Sequence, residues 1–97
     1  MSGTEKRPDV GPVLEATDAG RAVVSAIVAL NPDARIQDRG AYLRVSVPGR
    51  CVVTRSAIEA ALGHELSWPG GLELVMPAFQ GLFSLDGERA EWRLERA

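Results

Sequence analysis

The stretch from Gln37 to Thr54 constrains this chain most, because it carries the clearest periodicity in the sequence. Leu43, Val45 and Val47 alternate with Tyr42, Arg44 and Ser46, the period of two that gives a strand one dry face. Pro48-Gly49 interrupts the run, since proline has no N–H to give a ladder and glycine takes positive φ at little cost. Cys51, Val52 and Val53 resume a β-rich pattern. A strand, a tight turn and a strand predict a hairpin, with the rest of the chain covering its apolar face.

The flanking segments supply that cover. Met1 to Asp9 is polar and charged, so residues 1–9 read as a flexible tail and 10–97 as one domain. Val10 to Ala16 predicts a short strand whose Gly11-Pro12 suits only an edge or a strand beginning. Asp18, or Thr17 before it, is placed to cap a helix from Ala19 to Leu30. Val23, Ile27 and Leu30 form its stripe, with Val24 and Val28 beside them. Asn31-Pro32 stops that helix, and Arg35 to Asp38 is a weak strand around Ile36.

After the predicted hairpin, Ser56 and Glu59 fit a capping box opening a second helix. Ile58, Ala61 and Leu62 face inward, and Gly63 sits at its left-handed end. Trp68-Pro-Gly-Gly reads as a turn. Leu72, Leu74 and Met76 then alternate as a strand that Pro77 bends or confines to an edge. Gly81 to Leu85 continues apolar, Asp86-Gly87 signals a hairpin, and Ala90, Trp92 and Leu94 alternate in a last strand. The order β-α-β-β-α-β-β predicts an α+β fold: a mostly antiparallel sheet with two helices.

Composition narrows the function. The 97 residues suffice for one core. The longest apolar run, Ala22 to Leu30, is too short to span a bilayer, and no signal peptide is visible at the N-terminus. A single cysteine, Cys51, excludes an internal disulfide and points to a reducing, cytoplasmic setting. A net charge of −2 gives no general attraction to nucleic acid.

Catalytic constellations are absent from the sequence. His64, the one histidine, follows the glycine that ends the second helix, where capping is the ordinary role. Cys51 lies in an apolar strand, where cysteine acts as a small hydrophobe. The carboxylates form no Glu-x-x-His pattern, and no phosphate-binding glycine loop is present. The distinctive chemistry is instead on the surface. Arginine outnumbers lysine ten to one, and Asp38, Arg39, Arg44, Arg50 and Arg55 cluster around the predicted hairpin. The planar guanidinium binds carboxylates at two points and favours interfaces. Trp68 and Phe79 flank the strand containing Pro77.

Several motifs now stand together. D-V-G-P-V-L-E-A (9–16), N-P (31–32), I-Q-D-R-G-A-Y-L-R-V (36–45), T-R-S-A-I-E-A-A-L-G (54–63) and L-E-L-V-M-P-A-F-Q-G (72–81) occur in one short chain. Together they resemble the effector, or coupling, proteins of bacterial multicomponent diiron monooxygenases, most of all those of toluene, alkene and phenol monooxygenases. The resemblance implies an effector domain that is cofactor-free and catalytically inert. Its partner is a separate hydroxylase whose four-helix bundle holds two irons, and a reductase and a ferredoxin are co-acting or competing components. It further implies docking through Val10, Gly11, Pro12, Asp38, Arg39, Tyr42, Arg44, Phe79 and Gly81, while a monomer when free is the expectation for a chain with blunted strand edges. Of these, Gly11, Gly81 and Tyr42 suit a structural role as well. Trp68-Pro-Gly-Gly is not a family feature, and the tail is short for an ordering arm.

Two other readings fit the residues. A β-α-β-β-α-β arrangement also builds ligand-sensing modules of the ACT type, and Cys51 or His64 would have to serve a small enzyme.

Overall fold

The structure, a computed structural model, describes residues 7–94. Ten elements follow in the order β1 (Asp9–Glu15), α1 (Asp18–Leu30), β2 (Arg35–Asp38), β3 (Tyr42–Pro48), β4 (Arg50–Thr54), α2 (Arg55–Leu62), α3 (Gly70–Leu74), β5 (Ala78–Gln80), β6 (Leu82–Leu85) and β7 (Arg89–Arg93). The α+β class and the antiparallel pairing agree with the sequence reading. Of the tail read over 1–9, residues 1–6 lie outside the described residues, whereas Asp9 already pairs with Pro48 as the first residue of β1.

The strands form two sheets, β2-β3-β1-β5 and β4-β7-β6, with every pair antiparallel. The hairpin expected across Pro48-Gly49 therefore does not form. β3 pairs with β1 and β2, while β4 pairs with β7. A period of two identifies the dry face of a strand but says nothing about its neighbour. At Gly49, with φ +79°, the chain turns from one sheet into the other. Gly81, with φ +102°, does the same between β5 and β6. There a Cβ would come within 2.8 Å of the Arg93 carbonyl oxygen and 2.9 Å of Val10 Cγ1, so the crossing needs glycine for both conformation and space.

β1 is not an edge strand, although it contains proline. It lies between β3 and β5, and its ladder with β3 omits Gly11 and Pro12, resuming at Val13 opposite Arg44. The missing N–H of Pro12 thus falls where no bond to β3 is made.

The core lies between the sheets and α1, and Leu14, Val23, Ile27, Val53, Ile58, Leu72 and Trp92 are fully buried in it. Thr17 caps α1, accepting a hydrogen bond from the Gly20 N–H at 3.1 Å. The buried face of α1 is Ala22, Val23, Ala26 and Ile27, whereas Leu30 and Val28 are exposed. The stripe is thus rotated towards the alanines. In a helix apolar on most sides, periodicity alone does not choose the centre of the buried arc, and small residues permit the close approach that does.

The helix ends at Asn31, the one polar side chain among the described residues that is buried. Its Nδ2 donates to the carbonyls of Ile27 and Val52, both at 2.7 Å, and its Oδ1 accepts from the Val52 N–H at 3.0 Å. The amide group thereby occupies the free edge of β4 as a neighbouring strand would.

Two further expectations are corrected. α2 is capped by Thr54, whose Oγ1 accepts from the Ala57 N–H at 3.2 Å, not by a box between Ser56 and Glu59. Arg55 begins the helix, and Glu59 is occupied with the Arg55 Nε at 3.0 Å and the Leu66 N–H at 2.8 Å. Leu72 to Met76 is not a strand, because α3 occupies Gly70–Leu74. Leu72 and Val75 are the buried pair and Leu74 is 80% exposed, a spacing of three that the alternating leucines concealed. Trp68 packs against the core and donates from Nε1 to the Asp86 carbonyl at 2.6 Å. It therefore ties the Trp68-Pro-Gly-Gly loop to the β6–β7 turn. Gly63 closes α2 in the left-handed conformation and Asp86 shapes the β6–β7 turn, as read from sequence.

Candidate docking surface

Alternation along β3 buries Leu43, Val45 and Val47 and sends Tyr42 and Arg44 to the opposite face. That outer face of the first sheet carries no helix. Arg44 lies opposite Val13 and Gln80 opposite Gly11, and Arg44 Nη2 donates to Gln80 Oε1 at 3.2 Å, bridging over β1. At one corner Arg35 Nη2 donates to Asp9 Oδ2 at 2.6 Å. These bonds hold long side chains flat against the sheet, reducing the entropy a partner must remove.

Two aromatic groups are exposed on this sheet, Tyr42 on the outer face and Phe79 on the other side, opposite Pro12. Tyr42 is 46% exposed at the start of β3, and Phe79 is 47% exposed on β5. The Phe79 ring lies 5.3 Å from that of Phe83, which lies 5.1 Å from buried Trp92. Phe79 is therefore braced by the core aromatics at the β5 edge. Leu82, just past Gly81, is also exposed.

The residues expected to dock divide into two groups. Tyr42 and Arg44 are exposed on the outer face, Phe79 is exposed at the β5 edge on the side of its inward-facing register partner Pro12, and Asp38 and Arg39 are exposed where β2 turns into β3. In that turn Asp38 Oδ1 accepts from the Gly40 N–H at 2.8 Å, so its carboxylate shapes the loop. Val10, Gly11 and Pro12 are instead buried in β1. Val10 and Pro12 point inward on this central strand and present no side chain to a partner, and Gly11, on the outward side between them, has none to present. Gly11 has Val45 against its backbone, where a Cβ would meet the Val45 carbonyl oxygen at 2.7 Å. Gly81 is the exposed corner between sheets. Gln80, Arg35 and Leu82 belong to the surface but were not singled out from sequence. An exposed leucine carries no mark in the sequence, and Gln80 shows itself only through its partner across β1.

The two groups that would have to serve an enzyme are poorly placed for it. Cys51 is fully buried, and loss of solvation pushes its thiol up to about 12, which disfavours the nucleophilic thiolate. His64 is exposed, with Nδ1 2.9 Å from the Glu65 carbonyl oxygen. Among the described residues, no three His, Cys, Asp or Glu side chains gather as a metal site. No helix among them is long and apolar enough to cross a membrane.

Known proteins resemble the chain over most of its length. An alkene monooxygenase effector subunit from Xanthobacter autotrophicus is 35% identical over 85 residues, spanning 86% of this chain and 83% of that protein. Two chains from phenol hydroxylase–regulatory protein complexes share the fold. One has a TM-score of 0.79 at 23% identity, covering 90% of this chain and 99% of that one. The other has 0.71 at 27%, covering 87% and 99%. Regulatory protein B of soluble methane monooxygenase superposes with a TM-score of 0.67 at 19% identity, over 98% of this chain and 70% of its own. A model of the MmoB/DmpM family matches residues 8–93. The resemblance carried by the motifs therefore holds, and the chain belongs to the MmoB/DmpM family of monooxygenase effector and regulatory subunits.

Proposed function

We propose that this protein is the effector component of a multicomponent diiron monooxygenase. It binds the hydroxylase component and promotes coupled oxygen activation and hydrocarbon oxidation there, without performing chemistry itself. The observation that carries this reading is the family match over residues 8–93. The helix-free sheet face carrying Tyr42 and Arg44, with Phe79 exposed at the β5 edge, supports docking, and buried Cys51 fits a reducing, cytoplasmic setting.

Such a protein acts by population shift. It stabilises whichever hydroxylase conformation it binds better, and only that difference in affinity reaches the active site. Tyr42, Arg44, Phe79, Asp38 and Arg39 supply contacts, while Gly11, Gly81, Val10 and Pro12 maintain the face that presents them. The ferredoxin and reductase act on the same hydroxylase, so a large excess of effector slows electron delivery wherever the surfaces overlap.

Titration of reconstituted cognate hydroxylase with this protein tests the assignment, with product formed per NADH consumed recorded throughout. Rate and coupling should rise together and saturate at stoichiometric effector. A flat response, with the chain folded and the hydroxylase competent, would overturn the assignment.

A further inference from the structure

The Gly49 corner carries a feature that the docking face does not use. A cleft of about 590 Å³ opens there, lined by Arg7, Gly49, Arg50, Leu82, Arg93 and Leu94, with Glu91 also on its wall. Three guanidinium groups thus frame one depression. Glu91 satisfies one of them, accepting from Arg50 Nε at 2.5 Å. Glu91 is the one carboxylate lining the cleft among the described residues. Among the described residues three cations face one acid there, an excess of positive charge in a chain whose net charge is −2.

Arg7 and Arg50 are held in place, Arg50 by Glu91. A Cβ at Gly49 would lie 2.5 Å from Arg7 Cδ and 2.9 Å from Arg7 Nη1, so the absent side chain is the space in which Arg7 rests. The segment carrying Arg7 is fixed in turn, because the Gly49 N–H donates to the Pro8 carbonyl at 3.0 Å. Arg50 and Arg93 are register partners across β4 and β7 and project to the same face. Holding like charges together costs free energy that an incoming carboxylate recovers, and planar guanidinium groups meet a carboxylate at two points.

We propose that this cleft receives a carboxylate-bearing segment of the hydroxylase, with an aliphatic side chain of that segment resting on Leu82 and Leu94. The proposal rests on the effector reading and extends the docking surface around the Gly81 corner. Two observations select this occupant. Leu82 is 41% exposed and follows β5 directly across the Gly81 corner, so the cleft lies next along the chain to the strand that carries Gln80 of the docking face. Its lining mixes arginine with leucine, which suits an acidic peptide better than a nucleic-acid backbone, and the overall negative charge opposes a polyanion.

The test measures binding of the full chain to the cognate hydroxylase by titration calorimetry at low and high salt. The variants are Arg93→Gln, Arg7→Gln, their combination, Arg93→Lys and Arg89→Gln, each checked for folding by circular dichroism. At low salt each of the two cleft substitutions should weaken binding roughly fivefold and the pair more, as for charge-assisted contacts. Salt should shrink these differences as screening shortens, and Arg93→Lys should retain most of the affinity. Arg89, at the other end of β7, removes the same charge outside the cleft and should bind like wild type. Wild-type affinity and salt dependence in both Arg93→Gln and the double variant would overturn the proposal, as would an equal loss in Arg89→Gln. No binding by the wild-type chain at any salt would instead overturn the effector reading, and the cleft with it.

Discussion

Replacing Asn31 by alanine should destabilise this protein more than its position beside a helix end suggests. The substitution removes both Nδ2 donations, to Ile27 and Val52, and the Oδ1 acceptance from the Val52 N–H. The Ile27 carbonyl keeps a partner, because the Asn31 backbone N–H also donates to it at 2.9 Å. Val52 loses both of its bonds to the side chain on a half-buried strand edge. At about 1–2 kcal/mol for each backbone group left without a partner, the total is about 2–4 kcal/mol. For a domain of this size that lowers Tm by roughly 10–25 °C. Urea unfolding followed by circular dichroism would give the free energy, with an unchanged m-value showing that the unfolded state is unaltered. Asn31→Asp sharpens the test. It keeps an acceptor for the Val52 N–H but aims a carboxylate at two carbonyl oxygens, so that variant should regain stability as pH falls and the new acid protonates. A loss below 0.5 kcal/mol in Asn31→Ala would refute the view that this amide stands in for a neighbouring strand.

Other outcomes follow from the same structure. Gly81→Ala should cost about 2–4 kcal/mol in urea unfolding although the position is exposed, because φ is +102° and the new Cβ meets the Arg93 carbonyl. Phe79→Ala should lower stability by only about 1 kcal/mol while weakening hydroxylase binding tenfold or more, read by calorimetry and thermal melts. The Cys51 thiol should react with a disulfide reagent only at the rate of opening, so labelling in urea should track the unfolding curve. Acid should loosen the fold through Glu59 and Asp86. The Leu66 N–H and then Arg55 hold Glu59 below its usual range, and the Glu88 and Arg89 N–H groups do so for Asp86. Folded values below unfolded ones mean a contribution fully present above about 4.5 and 3.8 respectively. That contribution is lost as pH falls through the folded values. Glu59→Gln and Asp86→Asn should flatten the acid limb of a Tm–pH profile.

The sequence disclosed faces better than neighbours. Leu43, Val45 and Val47 were read as a dry stripe and are one, yet the strand that follows joins another sheet. A turn at Pro48-Gly49 looks alike whether the chain folds back on itself or crosses a gap. Thr54 was hidden as a cap because Ser56 and Glu59 offered the same chemistry two residues later, and Arg55 and Leu66 claim Glu59 through contacts the sequence does not order. In Leu72–Met76, periods of two and of three share Leu72, and burial of Val75 decides between them. Asn31 announced a helix end by standing before proline, but its bonds to Val52 depend on a strand 21 residues away. On the docking surface, arginine and aromatic residues could be nominated by type. Separating Tyr42, Arg44 and Phe79 from buried Val10 and Pro12 required knowing that β1 is central.

The brief ladder between β1 and β5 has a consequence for the order in which the molecule opens. It comprises three register pairs, Gly11–Gln80, Pro12–Phe79 and Val13–Ala78, which join nearly opposite ends of the chain. One of the three residues on the β1 side is a proline without an amide to share. By contrast, β4 and β7 meet along five pairs around Trp92 and Cys51. Amide exchange should therefore be fastest at Ala78 to Gln80 and slowest beside Trp92. The strand that carries Phe79 is then the first part of the docking face to detach, and a bound hydroxylase would slow exchange there before anywhere else.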